Sequence, residues 1–174
     1  RTGNMPIYLI GLGTVTALNT VTVRSRVDGE LLDVAVREGQ MVQAGELVAQ
    51  IDPRPFQVQL VQAQGQKERD EALLANARVD LERYKVLYAQ DAVPKQQYDT
   101  QVSLVNQLEA AIKTDQGAIE AAQLNLIYSR ITSPITGRIG LRLVDPGNII
   151  HTTDQNGLAV ITQLQPITVI FNIA

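Results

Sequence analysis

Few side chains in this sequence are of the kind that does chemistry. The single histidine, His151, lies in Ile149-Ile150-His151-Thr152-Thr153-Asp154, where a base, two hydroxyls and a carboxylate follow one another. A nucleophilic triad needs its members converging on one point, whereas neighbours along a strand face opposite sides. His151 is therefore expected at a rim or in a loop. Carboxylates gather at Glu68/Asp70/Glu71 and Asp80/Glu82. Two carboxyls across a cleft can hydrolyse a glycoside, but these sit in strongly helical sequence and read as solvated or seam positions. Gly11-Leu12-Gly13 lacks the third glycine and the following helix of a dinucleotide loop. The absence of cysteine excludes a disulfide, a thiolate metal site and a cysteine nucleophile. Met5 and Met41 are too few and too separated to line a copper site. Neither catalytic residues nor a metal or cofactor is expected.

Composition points the same way. With 15 basic and 18 acidic side chains among 174 residues, the net charge of −3 argues against nucleic acid as a partner. Only seven aromatics (five Tyr, two Phe) are available, so a single large globular core is not expected. No run approaches the roughly 18 apolar residues of a membrane helix. Ile7 to Val15 holds two glycines and is expected to be a strand. The N-terminus lacks the features of a secretory signal, and Ile167 to Ala174 stops inside a β-branched run. Both observations are those of a trimmed segment, with further residues expected beyond 174.

Three textures position these groups. Residues 8–53 are rich in Val, Leu, Thr and Gly and predict short strands. Residues 54–127 are rich in Ala, Gln, Leu, Glu and Lys and predict helix, with a break near Asp91 and Pro94. Residues 128–174 return to strand texture. The two β blocks repeat one another at an offset of 108 residues, from Gly29 to Gly137. Val27-Asp28-Gly29-Glu30-Leu31 matches Ile135-Thr136-Gly137-Arg138-Ile139, Val36 matches Val144, Gly39 matches Gly147 and Val42 matches Ile150. Positive φ is expected at such glycines. Each half is too small to bury a core, so the two are expected to pack as one sandwich.

The helical middle carries heptads. Leu60, Lys67, Leu74, Leu81 and Tyr88 form one series, and Ala63, Asp70, Ala77 and Tyr84 another. In the second arm Tyr98, Val105, Ile112, Ile119 and Leu126 recur, with Gln101, Leu108, Asp115 and Ala122. Such spacing predicts an antiparallel coiled-coil hairpin. One register matches both arms, setting Leu74 against Leu108, Ala77 against Val105, Tyr84 against Tyr98, Gly65 against Gly117 and Lys67 against Asp115. The Lys67–Asp115 pair is expected to fix that register, because a slip would strand both charges. The facing glycines suggest close helix approach or a weak point.

The first β block, Val27 through Ile51, resembles the biotinyl/lipoyl carrier fold. A working carrier places a lysine at the hairpin that follows. Here Ile51-Asp52-Pro53-Arg54-Pro55 offers none, so carrier function is not expected. A split lipoyl-like domain interrupted by a helical hairpin, with Gln50-Ile51-Asp52-Pro53, Tyr128 through Gly140 and Asp145-Pro146-Gly147, resembles the periplasmic adaptor (membrane fusion) proteins of tripartite resistance-nodulation-division (RND) efflux pumps. The resemblance covers nearly the whole chain. It implies an elongated α+β fold in which 1–20 and 158–174 form part of a β-barrel. Residues 21–53 and 128–157 would then form the lipoyl-like halves, and 54–127 the hairpin with its tip near 90–95. It implies a non-enzymatic link between an inner-membrane RND transporter and an outer-membrane channel of the TolC type, in the Gram-negative periplasm, with self-association into a trimer or hexamer ring. Adaptors of ABC exporters or type I secretion systems are the neighbouring alternative. Many such adaptors engage the channel through an Arg, a Leu four residues on and a Ser seven further. Arg83 and Leu87 match. Pro94 stands in place of the Ser and is expected to open the second helix at its first position.

Overall fold

The computed structural model describes residues 13–171, and the chain divides into a β unit and a helical unit, Asp52–Ser129. In chain order the elements are β1 (Gly13–Ala17), β2 (Thr20–Val23), β3 (Gly29–Val34), β4 (Met41–Val42), β5 (Leu47–Ile51), α1 (Arg54–Ala89), α2 (Lys95–Tyr128), β6 (Arg130–Thr132), β7 (Gly137–Arg142), β8 (Ile149–Ile150), β9 (Ala159–Thr162) and β10 (Ile167–Phe171). The fold is α+β. Met5, Gly11, most of the expected Ile7–Val15 strand and residues 172–174 lie outside the described residues.

The β unit contains two four-stranded antiparallel sheets, ordered β2-β9-β7-β4 and β6-β5-β3-β8. Alternation along the strands turns one face of each inward. Leu31, Val42, Val48, Ile51 and Ile161 are all but completely buried. Each such side chain contributes about 1.5–3 kcal/mol relative to exposure.

The repeat is carried into three dimensions by exchange. The short strand of each half pairs with the long strand of the other: Val42 lies opposite Gly137, and Ile150 opposite Gly29. Gly39 N donates to Ile139 O (2.9 Å), as Gly147 N does to Leu31 O (2.7 Å). Ile139 N donates to Gln40 O and Leu31 N to Asn148 O, each at 2.9 Å. Neither half can satisfy its backbone alone, since removing one strips the other of its pairing partner.

The glycines divide into two physical classes. Gly39 (φ 76°) and Gly147 (φ 88°) occupy the left-handed region, as expected. Gly29 and Gly137 do not, which corrects the expectation of positive φ there. They are needed for space. A Cβ on Gly137 would lie 2.5 Å from the Thr162 carbonyl oxygen, and one on Gly29 would lie 2.7 Å from Ile51 Cγ2.

The expected barrel segments also need redrawing. β9 lies between β2 and β7 in the sandwich, with Ile161 fully buried, so 159–162 do not belong to a separate barrel. What remains is the ribbon of β1 and β10, paired from Gly13↔Phe171 to Ala17↔Ile167. It carries Val15, Val169, Ile170 and Phe171 exposed.

In the helical unit, α1 has 36 residues and α2 has 34, each on the order of 50 Å long. Pro55 sits in the first turn of α1, where its missing N–H leaves no helical bond unmade. Asp52 accepts the Arg54 backbone N–H (3.0 Å) and a two-pronged bond from its guanidinium, which hold the carboxyl below its usual range. Leu74, Ala77 and Val105 form a buried cluster packed by Leu81, Leu108 and Ile112. The expected layers Leu74/Leu108 and Ala77/Val105 both fall within it.

Two other layers differ from expectation. Tyr98 stacks on Tyr88 rather than Tyr84, with ring centroids 5.5 Å apart and planes 10° from parallel. Lys67 forms no ion pair with Asp115 among the described residues. Its ammonium donates to Gln116 Oε1 (2.9 Å) and lies 3.5 Å from Glu71. The cause is directional. Helical side chains lean toward their own N-terminus, so those of α2 lean to the hairpin tip and those of α1 away from it. Tyr98 thus meets Tyr88, one turn nearer the tip than Tyr84.

Gly65 and Gly117 show no close approach, because a Cβ on either would meet nothing within 4 Å. Gly65→Ala and Gly117→Ala are expected to stabilise the hairpin by about 1 kcal/mol each. Thermal denaturation followed by the helical signal checks this, and an unchanged or lower midpoint would show that flexibility there is compensated elsewhere.

Candidate docking surface on the hairpin

Arg83 and Leu87 are four residues apart on α1 and share one face. The Arg83 side chain is 72% exposed and its guanidinium meets Asp80 at 3.0 Å. Leu87 is also exposed, with Val79 and Val86 beside it. Together with Arg78 and Glu82, these residues make up one open face of α1. The structure therefore brings Arg83 and Leu87 together on a helix face that mixes exposed apolar and charged side chains. That combination suits a partner helix presenting an apolar stripe with polar flanks.

Pro94 is not part of this face. α1 ends at Ala89, and Ala92 N donates to Leu87 O at 2.9 Å. Asp91 takes a left-handed conformation (φ 53°), one of the few residue types that tolerate it without being glycine. Pro94 is then the N-cap of α2, in extended conformation, with Lys95 the first helical residue. This moves Pro94 one position from the expected first helical place. Its carbonyl accepts Gln97 N (3.0 Å), so the residue sets the chain's entry into α2. The Tyr88–Tyr98 stack joins the two arms just behind this turn.

The remaining sequence candidates are structural. His151 is exposed, and its backbone N–H donates to Asp154 Oδ2 at 2.8 Å. The same contact occurs at the matching place in the first half, where Gln43 N donates to Glu46 Oε2 at 2.8 Å. His151 and Asp154 are thus a turn and its cap. Two further matched pairs escaped the sequence reading. Ser25 and Ser133, both buried, donate to the carbonyls of Val27 and Ile135. Asp28 Oδ1 accepts Thr152 N (2.6 Å), as Thr136 Oγ1 accepts Ala44 N (3.1 Å). The bond from Thr152 holds the Asp28 carboxyl below its usual range. The signal for all three was the same 108-residue offset, extended from apolar positions to polar ones. Among the described residues no cluster of His, Asp or Glu could hold a metal. No helix among them is long and apolar enough to cross a membrane.

Residues 19–162, the two-sheet sandwich together with the hairpin inserted in it, match the family described as RND MFP, barrel-sandwich hybrid domain. The chain belongs to the RND membrane fusion protein family. This membrane fusion protein is 59% identical over 99% of its length to "Multidrug resistance protein MdtA" of Pantoea ananatis, and it spans 42% of that protein. Among solved structures it is similar to a MacA-MexA chimeric protein containing the Pseudomonas aeruginosa MexA α-hairpin domain. The identity is 31% and the TM-score 0.63, over 93% of this chain and 54% of that one. The membrane fusion protein Spr0693 of Streptococcus pneumoniae shares the fold, with TM-score 0.70 at 16% identity, over 92% of this chain and 68% of that one.

Proposed function

We propose that this membrane fusion protein segment belongs to a periplasmic adaptor that links an inner-membrane RND transporter to an outer-membrane channel of the TolC type for multidrug efflux. The observation that carries the proposal is the 59% identity, over almost the whole chain, to a multidrug resistance protein. The fold supports it. The chemistry-bearing residues go into turns and caps, and the surface of the hairpin is left to engage partners. The sandwich exposes short edge strands, β4 and β8, to which a second copy can be apposed in a trimer or hexamer ring. The chain itself would be non-enzymatic, with energy supplied by the transporter.

The hairpin face containing Arg83 and Leu87 is assigned to the channel, with Pro94 shaping the tip. Arg83→Glu reverses the charge on this face while leaving the seam intact. In the full-length protein it is expected to raise drug susceptibility at least several-fold at unchanged protein level. Unaltered susceptibility would remove Arg83 from the docking surface. The transporter assignment is tested by purifying the tagged full-length protein from mildly solubilised membranes. Recovery of an RND transporter is expected, and recovery of an ABC transporter instead would overturn it.

A further inference from the structure

The hairpin seam contains a buried polar arrangement that docking does not use. Asp70 is 7% exposed, in line with Leu74 and Ala77 on the buried stripe of α1. Its two oxygens are supplied with donors, Oδ1 by Arg69 Nε (3.0 Å) and Oδ2 by Gln66 Nε2 (3.2 Å). Asp115 faces it from α2. The Oδ2 atom of Asp115 is buried and has no hydrogen-bond partner. Two cations of α1 act on it, and both are committed elsewhere, Arg69 to Asp70 and Lys67 to Gln116 and Glu71. The groups facing the pair are therefore Gln66, Lys67, Arg69 and Glu71 on α1 and Gln116 on α2. None of them donates to that oxygen. Two acceptors abut in a desolvated seam with one hydrogen too few, and an unmet buried acceptor is costly.

We propose that Asp70 and Asp115 form a proton-binding clasp in the hairpin, in which one proton taken from solvent sits on the Asp115 carboxyl and is donated to the Asp70 carboxylate. Uptake turns a repulsion between like charges into a hydrogen bond across the seam, so the arms are held more tightly in acid than at neutral pH. The inference does not depend on the adaptor assignment. If that assignment holds, the clasp makes the stiffness of the hairpin respond to the acidity of the periplasm.

The electrostatics agree with the geometry. Burial, followed by the charge of Asp70, pushes the Asp115 carboxyl above its usual range. For a raised carboxyl the folded state binds the proton more tightly than the unfolded chain does. The stabilisation is complete below the ordinary aspartate pKa and is lost as pH rises through the folded value. Asp52, at the start of the same unit, has the opposite sign, so its contribution is lost on acidification. A bulk pH melt therefore mixes the two, and a site-resolved measurement is needed.

That measurement is a carboxyl ¹³C NMR titration of Asp115 in the whole chain. The expected midpoint lies clearly above the ordinary value of about 3.9, and it falls in the Asp70→Asn variant because the neighbouring charge is gone. A midpoint at or below the ordinary value, or one that Asp70→Asn leaves in place, would overturn the clasp. Asp115→Asn supplies the second arm, since an amide can donate to Asp70 at every pH. Its hairpin stability is expected to vary less than that of the unsubstituted chain as pH rises from below the ordinary aspartate value of about 3.9 to neutral. If that variant fails to fold, the titration of the unsubstituted chain and of Asp70→Asn still decides.

Discussion

Replacing Gly137 by alanine is expected to cost the β unit about 3 kcal/mol or more, a loss of roughly 12 °C or more in melting temperature for a unit of this size. The added Cβ would lie 2.5 Å from the Thr162 carbonyl oxygen and 2.9 Å from its carbonyl carbon. Both are backbone atoms of β9, which is held between β2 and β7, so the neighbour cannot turn aside as a side chain could. Gly29, its counterpart across the repeat, gives the control. The Cβ there meets only a side-chain methyl, Ile51 Cγ2, at 2.7 Å. Gly29→Ala is therefore expected to be milder, and to be partly rescued by Ile51→Leu, which moves the branch away from the β carbon. Truncating Ile161 beside Gly137 is expected to give no such rescue. Hydrogen exchange read on peptides of β7 and β9 checks the difference, and equal costs for the two glycine variants would contradict the reading of Gly137.

Leu31→Ala and Ile161→Ala are each expected to destabilise the β unit by about 2–5 kcal/mol. Both residues are completely buried, one in each sheet, and both strands are paired on two sides. The flanking strands cannot collapse into the space without breaking a ladder, so the cavity is expected to persist. Denaturant midpoints, with exchange of β-unit amides as the local probe, measure the loss. A cost below about 1 kcal/mol at either site would mean that the sheets close over the gap.

These effects concentrate where the sequence was most legible. The 108-residue offset located β3 against β7 and β4 against β8, because apolar alternation and turn glycines survive as a linear pattern. It did not reveal that the short strands are exchanged between halves, which a linear pattern cannot encode. Nor did it distinguish Gly39 and Gly147, chosen for backbone conformation, from Gly29 and Gly137, chosen for space. Only the position of β9 and of Ile51 makes that distinction. The linear pattern puts β9 in a barrel because its pairing with β2 joins residues more than a hundred apart in sequence.

In the hairpin the heptads gave the seam and its height. They missed by about one turn which polar and aromatic side chains meet, since the lean of helical side chains is absent from a count of sevens. The Lys67–Asp115 pairing failed for that reason, and Asp115 was left facing Asp70. Spacing by four placed Arg83 and Leu87 on one face of α1, but the exposed Val79 and Val86 beside them were hidden among ordinary helix formers.

The proposed contact of the hairpin with an outer-membrane channel is open to direct test in cells. The most direct measurement places a photo-crosslinking amino acid at Leu87 of the full-length protein in living cells and identifies the adduct by mass spectrometry. The account predicts a covalent adduct with the outer-membrane channel from Leu87 and none from the same probe at Val58, near the start of α1. Adducts from Leu87 with the inner-membrane transporter and none with the channel would contradict it.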